Sequence, residues 1–401
     1  MTAPSPPAVA RLRSVGGGAR RSGLSRSAAA LLLSVGATLA GAPWSGGGEV
    51  GEPSTSATAE RGGAERASGW QAAEIALLHQ RASGGWPKHD DRSRLPGPEA
   101  QRELQAAGER ADATLDNGAT HGEIGLLAAA SRASGEARYA AAAARGIRYL
   151  LAAQYPNGGW PQTFPHPRGY SRQITFNDGA MIGALETLHD AARSAMEYAF
   201  LDDSDRDACR AAVQRGVACI LKCQVVVAGV PTVGCAQHDV ASLAPCGARS
   251  YELPSLSGLE SAGVVRFLMR QPDQGPAVRT AIEQALQWFE RSQVKGVRLD
   301  RVAAPELPGG FDLAATPDPQ APPLWARFYD LETNQPIFCD RDGVPRPSLA
   351  DLSHERRTRY SWLGPYARQL LDVEAPRWRA AAAIGAGEPR GAPTRAPRAR
   401  G

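Results

Sequence analysis

The chain has 401 residues, 43% of them hydrophobic, with 45 Lys and Arg against 41 Asp and Glu for a formal net charge of +4. That excess sits at the ends: residues 1–42 carry five Arg and no acid, residues 374–401 carry six Arg against two Glu, and the stretch between them is left at −5. An acidic body excludes a general nucleic-acid surface, and no apolar run is long enough to span a bilayer, so an anionic ligand needs a local basic cluster or a metal ion.

Taken in chain order, the N terminus reads as an export leader. A basic stretch with Arg20 and Arg21 precedes the apolar segment Ala28 to Ala42, which ends in the small-x-small pattern Ala40-Gly41-Ala42. These features predict a signal peptide over 1–42 and a secreted protein, the arginine pair hinting at twin-arginine export; a buried N-terminal helix is the alternative. Residues 43–69 are Gly, Ser, Thr, Ala and charge without a period, and read as a flexible linker. Residues 70–373 read as the folded domain, expected to be monomeric, and 374–401 as a disordered basic tail.

Within the folded part, Gln80, Gln154, Gln224 and Gln293 lie 74, 70 and 69 residues apart. Each closes an apolar run of helical period: Ile75, Leu77 and Leu78; Ile147, Leu150 and Leu151; Val217, Ile220 and Leu221; Leu286, Trp288 and Phe289. A unit of that length is two helices and a loop, which cannot bury its apolar face alone and must stack on its neighbours. The fold class is therefore predicted as mainly α: an (α/α) toroid or barrel of about three helical hairpins with long irregular loops and a few short strands.

Two polar loops lead into helices. Asp116-Asn117 precedes a helix through Ile124 and Leu127, where Thr120 and Glu123 have the spacing of a capping box. Asn177-Asp178 precedes a helix through Leu185 and Leu188. Asp178 could serve only as an N-cap, worth about 1 kcal/mol. Yet Asp116 and Asp178, 62 residues apart, carry their doublets to the same point of two hairpins. Equivalent loops of a toroid meet at one face, and converging carboxylate and amide oxygens suit Ca²⁺.

The six cysteines, Cys209, Cys219, Cys223, Cys235, Cys246 and Cys339, permit disulfides in an exported chain. Cys219, Cys223, Cys235 and His238 form a conceivable zinc set that lacks the paired Cys-x-x-Cys. Further on come Arg249-Ser250-Tyr251-Glu252, then Trp325 to Asp330, Phe338 to Gly343, and Arg356 to Trp362. Arg249, Tyr251 and Glu252 could form a surface salt bridge and no more. Aromatics interleaved with Arg at a rim can also hold sugar acids, rings on apolar sugar faces and guanidinium forks on carboxylates. The segments around 325–330 and 338–343 read as short strands or irregular loop across that rim.

Together these residues resemble the family 10 pectate lyases over roughly Trp70 to Leu371. The motifs are Gly84-Gly85-Trp86-Pro87-Lys88, Asp116-Asn117-Gly118-Ala119-Thr120, Asn157-Gly158-Gly159-Trp160-Pro161-Gln162, Ile174-Thr175-Phe176-Asn177-Asp178, Ala248 to Ser255, and Arg327-Phe328-Tyr329-Asp330 through Arg341-Asp342-Gly343. The resemblance implies a helical toroid and Ca²⁺-dependent anti β-elimination of polygalacturonate. It implies Asp116 and Asp178 as acids at the Ca²⁺ centre, with Asn117 as a further ligand and Arg249 as the Brønsted base. Arg341, Lys88 and Arg327 would hold substrate carboxylates, and Tyr251 and Trp160 would complete the substrate-binding set. A guanidinium pKa above about 12 means that neighbouring cations and burial must favour the neutral base. Three positions depart from the family pattern: His89 for Asn, Gln173 for His, and Gly234 for a Trp before Cys235, the last removing a stacking platform. The competing readings are an inverting glycoside hydrolase with Asp116 and Asp178 as acid and base, and a non-catalytic polysaccharide-binding protein.

Overall fold

The computed structural model describes residues 69–193 and 196–387. The expected leader, nearly all of the linker, and residues 388–401 lie outside the described residues. The helices are α1 (69–79), α2 (Pro98–Ala106), α3 (His121–Ser134), α4 (Ala137–Ala153), α5 (Ala180–Arg193), α6 (Asp203–Lys222), α7 (Glu260–Met269), α8 (Pro276–Arg291), α9 (His354–Thr358) and α10 (Ala375–Gly387). Among the described residues no helix is long and apolar enough to cross a membrane.

Sequence chemistry sets the helix ends. Gly135, left-handed at φ 72°, closes α3 and lets α4 fold back. Asp202 caps α6 by accepting the Asp205 N–H at 2.7 Å, and Pro276 opens α8 where a missing N–H costs nothing. The pairs α3/α4, α5/α6 and α7/α8 are the three predicted hairpins; α3, α5 and α7 form one row and α4, α6 and α8 a second.

Three of the four recurring glutamines, Gln80, Gln154 and Gln224, are the clasps of this array. Gln80 Nε2 donates to Gly84 O and to Ala142 O on α4, both at 2.9 Å. Gln154 Nε2 repeats this with Gly158 O at 3.0 Å and Ala212 O on α6 at 2.9 Å. Gln224 Nε2 does so with Thr232 O at 2.9 Å and Ala281 O on α8 at 3.3 Å. Each clasp satisfies two backbone carbonyls at once and ties one outer helix to the next.

Two residues beyond each clasped carbonyl lies the repeat's tryptophan position. Trp86 and Trp160 are fully buried and donate Nε1–H to Ala76 O at 2.7 Å and Leu150 O at 2.8 Å. Trp160 is therefore a core anchor with no face for a sugar, contrary to its predicted substrate role. In the third repeat the same position is Gly234. A small apolar cavity of about 30 Å³ lies there, lined by Phe176, Ile220, Cys223, Val265, Leu268 and Ala285. The glycine removes a core anchor and not a stacking platform.

After α8 the hairpin repeat stops, and among the described residues no closed barrel forms. Residues 305–323 contain Pro305, Pro308, Pro317, Pro319, Pro322 and Pro323, which lack the N–H a helix interior needs. The chain instead forms the antiparallel ribbon Val297–Ala303 with Phe311–Pro317. The rim segments are two-residue strands: Trp325–Ala326 pairs Leu363–Gly364, Phe328–Tyr329 pairs Leu256–Ser257, and Phe338–Cys339 pairs Pro345–Arg346. The tail is not disordered from residue 374, because α10 runs to Gly387. Its Ala380–Ala383 run favours helix, Trp378 Nε1 donates to Gln274 Oε1 at 2.8 Å, and Arg379 pairs with Glu283 at 2.7 Å.

Candidate active site

Asp116–Gly118 and Asn177–Gly179 are single tight turns that run into α3 and α5 and pack on each other. In each the middle residue is left-handed, Asn117 at φ 51°, ψ 36° and Asp178 at φ 52°, ψ 28°. Asn and Asp are the side chains that tolerate this region best after Gly. The turns are alike in backbone and reversed in chemistry. Asp116 occupies the place of Asn177, both buried, while Asn117 occupies the place of Asp178, and both of these reach solvent.

A cation pins the buried member of each doublet. Lys88 Nζ lies 2.5 Å from Asp116 Oδ2, and Arg327 Nη2 donates to Asn177 Oδ1 at 2.6 Å. Amides steady the carboxylates: Asn117 Nδ2 donates to Asp116 Oδ1 at 2.9 Å, and Asn177 Nδ2 to Asp178 Oδ2 at 3.0 Å.

Arg327 is the buried hub. Its Nη2 also lies 2.6 Å from Glu260 Oε1 and 3.5 Å from Asp178 Oδ1, and its guanidinium stands 4.6 Å over the Tyr360 ring. Burial raises the proton affinity of Asp178; Arg327 opposes this, and the charges of Asp116 and Glu260 add to it. Three carboxylates thus share one field. Glu260 was missed in the sequence, although Ser257-x-x-Glu260 ahead of an apolar helix is a capping-box signal, and Ser257 Oγ does bond Glu260. The predicted box at Thr120 and Glu123 does not form. Thr120 has helical backbone, its hydroxyl donates to Thr114 O at 2.7 Å, and Glu123 pairs with Arg92 instead.

Arg249 forms a fork with buried Glu252, Nε to Oε2 at 2.8 Å and Nη2 to Oε1 at 2.5 Å. This bonding raises the proton affinity of Arg249 against the effect of burial. Tyr360 Oη donates to Glu252 Oε1 at 2.7 Å, so one ring joins the Arg249 pair to the Arg327 hub. Arg341 is exposed and paired with Glu355 at 2.8 Å. Tyr251 is buried, with the guanidiniums of Arg249, Arg341 and Arg356 at 5.2, 5.8 and 4.5 Å from its ring. Its ring serves an arginine cluster and is no open platform.

Asp116, Asn117 and Asp178 offer hard oxygen donors, the set that fits Ca²⁺, which takes 6–8 oxygens and would complete its shell with ligand carboxylates and water. The zinc set does not fit. His238 Nε2 accepts the Cys235 N–H at 2.9 Å and Nδ1 bonds Leu243 O at 2.8 Å, so both ring nitrogens are used. All six cysteines are free thiols.

Residues 80–371 match the family described as pectic acid lyase. Two solved structures of a family 10 polysaccharide lyase from Cellvibrio cellulosa share 36% identity with the chain, each with a TM-score of 0.67 over 76% of it. The match covers 92% of one, an aspartate-to-alanine mutant in complex with trigalacturonic acid, and 91% of the other. No curated protein matches the chain. With the motifs, the hairpin array and the acid and arginine cluster in agreement, the chain belongs to the pectic acid lyase family and is a pectate lyase.

Proposed function

We propose that the enzyme cleaves polygalacturonate by Ca²⁺-dependent anti β-elimination, releasing 4,5-unsaturated oligogalacturonates, and that it acts as a secreted monomer. The observation that carries this reading is the packing of the Asp116 and Asp178 turns, from separate repeats, beside Lys88 and Arg327. The trigalacturonic acid bound by the relative from Cellvibrio cellulosa supports the substrate class.

Asp116, Asp178 and Asn117 would hold the ion, which when bound neutralises the uronate carboxylate and so acidifies the neighbouring C5–H. Lys88 and Arg341 orient carboxylates along the chain, while buried Arg327, bonded to Asn177 and Glu260, holds the Asp178 turn in place instead of gripping substrate as the resemblance implied. Neutral Arg249 accepts the C5 proton, the C5–H electron pair becomes the C4–C5 double bond, and the C4–O bond breaks, its oxygen taking a proton from water. A hydrolase reading is weaker because Asp116 lies 2.5 Å from Lys88, a poor setting for a general acid.

Digestion of polygalacturonate followed by ultraviolet absorbance, with and without chelator, tests the reading. Chelator-sensitive absorbance of the conjugated product is expected; new reducing ends without absorbance would mean hydrolysis.

A further inference from the structure

Glu252 is 5% exposed, yet nothing in the reaction above uses it. Its two oxygens take the Arg249 fork, Oε2 also accepts the Arg249 backbone N–H at 3.2 Å, and Oε1 accepts the Tyr360 hydroxyl. The charged and titratable groups around this pair are Arg249, Tyr251, Arg327, Arg341, Arg356 and Tyr360, with Glu355 on the far side holding Arg341 and Arg356.

We propose that Glu252 is the positioning residue of Arg249, fixing the plane of its guanidinium, and that Tyr360 in turn fixes Glu252 and links the base to the Asp178 turn. The proposal rests on Arg249 being the base. The Arg249 side chain is 40% exposed and free to sample many rotamers, whereas a two-bond fork leaves one orientation. Misplacing a reacting group by about 1 Å costs about 10²-fold in rate. The same carboxylate holds the proton on Arg249, while burial favours its loss. Orientation and basicity therefore pull in opposite directions at Glu252, and substitutions can separate them.

The test measures kcat and KM for elimination across pH in Glu252→Gln, Glu252→Ala, Tyr360→Phe and Arg249→Ala. Glu252→Gln keeps an acceptor and loses the charge, so the rise of kcat/KM with pH moves to lower pH and kcat falls by less than about 10-fold. Glu252→Ala loses about 10²-fold in kcat with KM within about twofold, because the residue does not grip substrate, and Tyr360→Phe falls between the two. A Glu252→Gln profile that rises at the parent pH overturns the proposal, and so does Glu252→Ala with parent kcat. If Glu252→Ala does not fold, the Glu252→Gln profile decides. Elimination surviving in Arg249→Ala would remove the base assignment itself, an outcome distinct from an unshifted profile with Arg249→Ala inactive.

Discussion

Asn117 and Asp178 hold the same left-handed backbone, φ 51° and 52°, at the same point of successive hairpins, so the amide of one turn and the carboxylate of the other face the site from equivalent positions. This places a backbone demand on both. Asn117→Ala, which keeps the Cβ strain and loses the amide that offsets it, should cost about 1–2 kcal/mol, while Asn117→Gly should stay close to the parent. Paired thermal melts decide; equal losses in both variants would show that the side-chain bond to Asp116, and not the backbone, is what counts.

Gly234 stands where two other repeats bury tryptophan. A Cβ there would lie 3.4 Å from His238 Nε2 and 3.6 Å from Cys223 O, ordinary distances that leave the side chain free to enter the cavity. Gly234→Ala is expected to stabilise by up to about 1 kcal/mol, and Trp160→Ala to destabilise by about 3–5 kcal/mol. Urea denaturation measures both. A less stable Gly234→Ala would mean that the neighbouring side chains have closed the slot.

Acid should weaken the fold through His238. Burial pushes its pKa down to about 4 against an ordinary 6.5, and both ring nitrogens are bonded in the neutral form. The unfolded chain then binds the extra proton first. The contribution is full above about pH 6.5 and is lost as pH falls toward about 4, by at most about 3 kcal/mol. His121, lowered to about 4 by burial, adds to the same limb. His238→Gln should flatten the decline in unfolding free energy between about pH 7 and pH 5 relative to the parent. An unchanged slope would assign the acid limb to other groups.

The parts legible in the sequence were those with a local or repeated signal. Gln80, Gln154 and Gln224 recur because each clasps the next outer helix, and the Asp/Asn doublets stand out because few side chains accept a left-handed turn. Trp160 shows how such a signal can be misread: its echo at Trp86 marked a shared structural job, and that echo argued for the core. Glu260 was overlooked despite its local Ser257-x-x-Glu260 signal, whereas the contacts of Arg327 and Tyr360 escaped because their partners are distant in the chain, Arg327 reaching Asn177 across 150 residues and Tyr360 reaching Glu252 across 108. No period or spacing encodes such pairs. The tail was misjudged from composition, since Trp378 and Arg379 find partners only once α8 and Gln274 are in place.

If the two turns share one ion, both aspartates should set the calcium requirement. The decisive measurement is the elimination rate as a function of calcium concentration for the parent, Asp116→Asn and Asp178→Asn, the asparagines preserving turn geometry. Half-saturating calcium should rise by at least about tenfold in each variant. A calcium requirement unchanged in either variant would contradict a shared metal centre built from separate repeats.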